Sequence, residues 1–307
     1  MAVLVSVILP TLNRSRSLPA AITSVLTQSV RDLELIVVDD ASTEDIAGLV
    51  RGIDDDRVSY IRRAVNGGAA AARNTGLAEA RGAYIAFQDS DDLWLPGKLE
   101  RQLALFDELP ASVGAVIGAK ILYGRDNELN YGPGRVSFAP SAQGRLNLGE
   151  DQVGRMLDDN RVSVQSGLFK RDCMPAIAWF DACARANEDW EFAVRLCQHT
   201  QIYEDSEPVV LGFVSRDSIS INRRRQIIGA LRILKNNRAV LARHRRQRSA
   251  LLRDVGRALY KTGKGRWGTR FLLASISTYP PSIFSFGSTI LRSARQALPA
   301  RRKVGAA

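Results

Sequence analysis

From Val3 to Leu9 the chain is apolar and largely β-branched, interrupted only by Ser6, which predicts a strand buried on both faces. Pro10 is expected to end it, leaving Thr11-Leu12-Asn13-Arg14 as a polar loop. Leu18 to Gln28 switches to helical spacing, with Ile22, Val25 and Leu26 on one side. A second buried strand, Leu33 to Val38, ends in Asp39-Asp40, and Ser42 is placed to cap a short helix through Ile46 and Val50. Val58 to Arg62 predicts a third strand. Asn66-Gly67-Gly68 is a tight turn before an alanine-rich helix from Ala69 to Ala80, and Tyr84 to Phe87 is a fourth strand running into Gln88-Asp89-Ser90-Asp91-Asp92.

Alternation of strands and helices with right-handed crossovers predicts an α/β protein with a mostly parallel mixed sheet flanked by helices. In such sheets ligands bind beyond the carboxyl ends of the strands. Thr11–Arg14, Asp39-Asp40 and Asp89–Asp92 all follow strand ends, so they are expected to converge on one crevice. Further on, Ala115 to Tyr123 and Val162 to Lys170 are strand-like, Glu188 to Leu196 is helical, and Val209 to Val214 is a last strand. A Gly-, Asn- and Pro-rich loop runs to about Gly149.

Charge divides the chain. Residues 1–221 carry 22 Lys and Arg against 31 Asp and Glu, whereas residues 222–307 carry 21 against the single acid Asp254. An acidic body of residues 1–221, with halves 1–110 and 111–221, and a basic helical region of residues 222–307 are therefore expected to do different work. Three scattered cysteines exclude a disulfide framework and a zinc site, and fit a cytoplasmic protein. The first residues carry no signal-peptide pattern, and no window is apolar for long enough to span a bilayer.

Each polar cluster has a structural and a chemical reading. Asp89, Asp91 and Asp92 repel one another unless a cation or solvent relieves them, and two carboxylates at a strand end suit Mg²⁺ or Mn²⁺; a solvated turn is the alternative. Extended backbone would send Asp89 and Asp91 to the same side, where they could share an ion. Asp39-Asp40-Ala41-Ser42 serves as helix-capping chemistry or lets Asp39 accept from a base or ribose. Arg73 is a surface cation on an alanine helix or the partner of Asp89. Glu188-Asp189 either complements the helix macrodipole or supplies a general base.

In this order and at these spacings, Val7–Asn13, Val37–Ser42, Ala71–Gly76, Phe87–Asp92 and Glu188-Asp189 resemble glycosyltransferase family 2, the inverting group with the GT-A fold found in bacterial cell-surface polysaccharide synthesis. The resemblance covers roughly residues 3–220. It implies transfer from a nucleotide-diphosphate sugar, a UDP-sugar by preference, to a saccharide or lipid-linked acceptor. Pro10, Thr11, Asn13, Asp39, Asn66, Arg73, Asp89 and Ser90 would line the donor site. Asp91, with Asp89, would bind Mn²⁺ or Mg²⁺, and Asp189 would be the base. Two positions depart from the family pattern: Leu12 replaces a common aromatic, and Arg216 stands where many relatives have a histidine near the diphosphate.

Two other functions compete. A sugar nucleotidyltransferase would show a Gly-rich basic loop after the first strand, which Pro10–Asn13 is not; a non-catalytic membrane-associated binding protein would be free to lose the acids, which are present. The basic region, with Arg243–Arg248 and the aromatics Trp267, Phe271, Tyr279, Phe284 and Phe286, fits a peripheral position on the anionic inner face of the plasma membrane. A helical bundle packed on the body and a nucleic-acid patch are the alternatives, and nucleic acid is not expected because no binding motif accompanies the charge.

Overall fold

The computed structural model describes residues 3–124, 136–141, 143–175, 178–184, 186–214 and 223–283. Its first half repeats strand and helix: β1 (Val5–Thr11), α1 (Leu18–Leu26), β2 (Leu33–Asp39), α2 (Ile46–Arg51), β3 (Val58–Arg62), α3 (Ala69–Glu79) and β4 (Tyr84–Phe87). Every residue of β1 and β2 is buried, in keeping with their largely apolar sequences, and the polar Ser6 and Glu34 bond to each other at 2.6 Å. These strands pair in parallel in the order β3-β2-β1-β4, and the register sets Thr11 beside Asp39.

Pro10 does not end β1; the strand runs through it to Thr11. The Ile8 carbonyl accepts from the Gln88 N–H on the β4 side, so Pro10, two residues on, faces the same way. The β1–β4 pairing stops at Ile8 and Phe87, so the missing Pro10 N–H leaves no ladder bond unmade.

The second half contains β5 (Leu93–Trp94), α4 (Lys98–Glu108), β6 (Val113–Gly124), β7 (Val136–Ala139), α5 (Gln152–Asp158), β8 (Gly167–Lys170), α6 (Glu188–Leu196) and β9 (Gln201–Val214). It extends the sheet as β4-β8-β6-β9-β5, with β7 on β6; β8 runs antiparallel to both β4 and β6, while β6 and β9 are parallel. The expected strand from Val162 is shorter than its sequence suggests, because Val164–Ser166 forms a 3-10 turn before β8. Ser42 does not cap α2. Asp45 does, accepting from the Gly48 N–H at 2.7 Å, and Ser42 is used elsewhere.

The principal core lies between the sheet and the helices α1, α2 and α4, built from residues such as Val7, Ile22, Val37, Leu99 and Val116. Burying side chains of this size stabilises the fold by roughly 1.5–3 kcal/mol each. On the other side Gly76 lets α3 lie close on β1 and β2: a Cβ there would fall 2.5 Å from Ile8 Cγ2. That approach brings Arg73, one turn earlier, to the sheet's carboxyl edge.

Two compact units divide at Asn237 and Arg238. The expected division, at residue 221, puts α7 (Arg223–Asn236) with the basic region, whereas α7 lies in the first unit. The second unit contains α8 (Arg238–Arg243), α9 (Arg245–Lys261) and α10 (Gly265–Thr278). There α9 and α10 form an antiparallel hairpin in which Ser249 and Ser275 bond reciprocally and Gly256 meets Gly268. No helix among the described residues is long and apolar enough to cross a membrane.

Candidate active site

The carboxyl ends of β1 and β2 are tied together first. Asn13, in left-handed backbone with φ 52°, accepts through Oδ1 from the Thr43 N–H at 2.8 Å, while its own N–H donates to Ser42 Oγ at 2.9 Å. Its side chain therefore braces the loop after β2. Asp39 is fully buried, with Oδ1 accepting from the Ser42 N–H at 2.8 Å and Oδ2 from Tyr60 Oη at 2.8 Å and Arg62 Nη1 at 3.1 Å. Three of its roughly four acceptor positions are filled. Thr11 is buried, and among the described residues its hydroxyl has no hydrogen-bond partner.

Asp40, to which the sequence pattern assigned no separate part, holds the turn before α3. Its carboxylate accepts from the Gly67 N–H at 3.0 Å, the Gly68 N–H at 2.7 Å and an Arg63 guanidinium nitrogen. Gly68 has φ 83°, a conformation that glycine adopts without steric penalty. Asn66, in the same turn, is exposed.

The acidic cluster separates into three environments. Residues 89–92 turn rather than extend, with the Asp92 N–H donating to the Asp89 carbonyl at 3.2 Å, so the extended backbone expected to carry Asp89 and Asp91 is absent. Asp92 is buried and accepts from Lys120 Nζ at 2.6 Å, Gln165 Nε2 at 3.0 Å and the Phe213 N–H at 3.1 Å. It belongs to the sheet's framework. Asp89 accepts from Arg73 Nη2 at 2.8 Å. Asp91 is the most open of the three, with its side chain 38% exposed and Oδ2 3.5 Å from Arg14 Nη2. Burial, then the charges of Asp89 and Asp92, push its carboxyl pKa up to about 6 despite Arg14 and Lys120. Asp91 also lines a cavity of about 250 Å³ with Arg14, Arg16 and Phe213; Arg14 belongs to the loop expected at the crevice, whereas the sequence context of Arg16 did not signal its place there. Ser90 is buried beside it.

Arg73 joins this cluster to the far half of the chain. It is 4% exposed, donates to Asp89 and, through Nη1, to Glu188 Oε1 at 3.0 Å, and its guanidinium lies 5.5 Å from the centre of the Phe180 ring. Burial works against its charge, and the two carboxylates more than offset this, holding its pKa above the ordinary arginine value. The surface-cation alternative is thereby excluded. Asn74 adds two bonds to the Phe180 backbone, at 2.7 and 3.0 Å.

Asp189 follows Glu188 in the first turn of α6. It is half-buried, and its Oδ1 accepts from the Trp190 N–H at 2.7 Å. Burial and the charge of Glu188, with a smaller push from Asp89, raise its pKa to about 6 against the Trp190 N–H and Arg73. Asp89 thus acts electrostatically on both Asp91 and Asp189. Arg216 lies outside the described residues, as do residues 125–135 of the long loop before Gly149.

A parallel β3-β2-β1-β4 half, a mixed second half and acids gathered at the carboxyl edge define the GT-A class of fold. The chain belongs to a named family within that class: the model for glycosyl transferase family 2 matches residues 6–161. Among curated relatives, it is 42% identical over 102 residues to the Escherichia coli UDP-Glc:alpha-D-GlcNAc-diphosphoundecaprenol beta-1,3-glucosyltransferase WfgD, covering 33% of this chain and 40% of that protein. It is 31% identical over 201 residues to WcaA of E. coli K12, named for colanic acid biosynthesis, covering 63% of this chain and 66% of WcaA. The match to WfgD spans well under two thirds of that relative. Among solved structures, S. aureus TarS 1–349 in complex with UDP-GlcNAc aligns with TM-score 0.61 at 17% identity, covering 92% of each chain. The mannosyltransferase PcManGT from Pyrobaculum calidifontis, in complex with GDP-Man and Mn²⁺, aligns with TM-score 0.59 at 17% identity, covering 93% of this chain and 79% of that one. At such identities the likeness concerns the fold.

Proposed function

We propose that this protein is an inverting glycosyltransferase that moves a sugar from a nucleoside-diphosphate sugar, of the UDP type, to a hydroxyl of a saccharide or lipid-linked acceptor. The observation that carries the reading is the double ion pair of Arg73, which joins the donor-side Asp89 to Glu188, the neighbour of Asp189. Asp189 takes the proton from the acceptor hydroxyl, whose oxygen attacks the anomeric carbon as the bond to the diphosphate breaks. With a pKa of about 6, Asp189 is ionised at neutral pH yet basic enough to accept that proton. Arg14 and Arg16 bring positive charge to the cavity that Asp91 lines, which suits the diphosphate. Arg216 enters the proposal as a further phosphate cation.

A divalent metal fits the residues present. Asp91 is disfavoured as a carboxylate by burial and then by the charges of Asp89 and Asp92, a repulsion that a cation would relieve, and Asp92 is occupied by Lys120. No group of three or more His, Cys, Asp or Glu among the described residues could hold an ion unaided. One or two carboxylates, completed by substrate phosphates and water, is the manner of Mg²⁺ and Mn²⁺. Asp91, with Asp89, would hold the ion, and it would supply Lewis-acid charge to the departing nucleoside diphosphate.

For the second unit we propose attachment to an anionic membrane surface. The exposed Trp267 and Leu273 of α10 stand among Arg266 and Arg270, a composition suited to an anionic interface. Co-sedimentation with anionic vesicles at low salt tests this; no binding would refute it. The catalytic reading is tested by incubating the protein with a panel of nucleotide sugars and Mn²⁺ or Mg²⁺. Metal-dependent release of a nucleoside diphosphate is expected, and its absence across the panel with acceptors present would refute the reading.

A further inference from the structure

We infer that α7, which opens the basic region of the sequence, is a strap that sets the position of the segment carrying Asp189, with Arg232 as its positioning residue. The inference rests on the reading of Asp189 as the general base. Arg232 grips Asp181 with both arms of its guanidinium, Nε to Oδ2 at 2.5 Å and Nη2 to Oδ1 at 2.9 Å. Asn236, one turn on, donates to Asp181 Oδ2 at 2.7 Å and to Glu191 Oε1 at 3.2 Å. One turn earlier, Gly229 lies so close to the Ala186 carbonyl that a Cβ would fall 2.1 Å from its oxygen. The strap therefore touches the chain at residues 181, 186 and 191, on both sides of Asp189.

The grip passes into the backbone. Asp181 accepts from the Cys183 N–H through Oδ1 at 2.9 Å and from the Ala184 N–H through its carbonyl at 2.8 Å. Burial would raise the Asp181 pKa, but the bonds from Arg232, Asn236 and Cys183 hold it below the usual carboxylate range, so the pair stays charged. Asn187, between the strap and the base, is in left-handed backbone with φ 56°. Such a conformation persists where the surroundings hold it. A planar fork matching a carboxylate is a geometry that lysine does not reproduce.

The test compares the full-length wild type with Arg232→Gln, Arg232→Lys and Gly229→Ala. Hydrogen exchange is read at the amides of Cys183, Ala184, Trp190 and Glu191, and transfer is read as kcat, donor KM and the pH profile of kcat. The strap predicts faster exchange at these amides in all three variants. It also predicts a kcat lower by about 10- to 100-fold, donor KM unchanged, and a displaced acidic limb in the pH profile. Should Arg232→Gln fail to fold, Arg232→Lys and Gly229→Ala decide. Folded variants with wild-type exchange at these amides overturn the strap, as do variants whose kcat and pH profile match an active wild type. If the wild type transfers no sugar but the variants exchange faster, the proposed function fails and the strap stands.

Discussion

Arg73 donates to Glu188 at 3.0 Å, so one buried guanidinium links residues 115 positions apart in the chain. The same side chain holds Asp89, and both carboxylates are largely shielded from solvent. Removing one partner of a buried, hydrogen-bonded charge cluster typically costs about 3–5 kcal/mol. Arg73→Met is expected to lose stability on that scale, seen as a lower urea midpoint with unchanged slope, and to lose activity even where it remains folded. Wild-type stability in Arg73→Met would remove the keystone from this account.

Asp91 and Asp92 are neighbours with opposite expected phenotypes. Asp92→Ala leaves Lys120 and the Phe213 N–H without their acceptor, so it should destabilise by about 3–5 kcal/mol. Asp91→Ala removes no comparable internal partner, its contact being the looser one to Arg14, and should abolish turnover with little loss of stability. Thermal unfolding and donor turnover, measured on both variants, separate the two roles; equal loss of stability in both would contradict them.

The pKa of Asp91 is raised from an ordinary 3.8 to about 6, so the folded protein retains a proton that the unfolded chain releases. The stability from that group is fully present below pH 3.8 and is lost as pH rises through about 6. In the absence of metal, Asp91→Asn should therefore be more stable than wild type at pH 8, by up to about 1 kcal/mol after solvent screening. The difference should vanish toward pH 4. A variant less stable than wild type at pH 8 would contradict this electrostatic reading.

Chelation supplies a complementary test. Removing divalent ions with EDTA should stop donor turnover, and added Mn²⁺ or Mg²⁺ should restore it in wild type but not in Asp91→Ala. Turnover undiminished by EDTA would place the diphosphate's charge on protein cations such as Arg14.

In the nucleotide-binding half β1, β2 and β4 were legible because they are largely buried, so each carries a run of apolar residues, with acids at the end of β2 and after β4. The second half was less so. In α4 the buried Lys98 and Gln102 interrupt the apolar pattern, and in the first part of β9 the buried Glu204 and Asp205 read as loop. Their partners, Arg161 and Arg101, lie 43 and 104 positions away, beyond the reach of local spacing. The same limit hid the structural work of Asp40 and Asp92. It also set the expected boundary at residue 221, since the charge of α7 suggested a tail while its bonds to Asp181 span 51 positions.

Whether Asp189 is the base, in a crevice that Asp91 completes on the donor side, is decided by measuring sugar transfer and donor binding together in Asp189→Asn. This variant is expected to bind the nucleotide sugar as wild type does while its kcat for transfer falls by about 10²–10⁴-fold. The acidic limb near pH 6 is expected to disappear from whatever transfer remains. Transfer at the wild-type rate by Asp189→Asn would show that Asp189 is not the base.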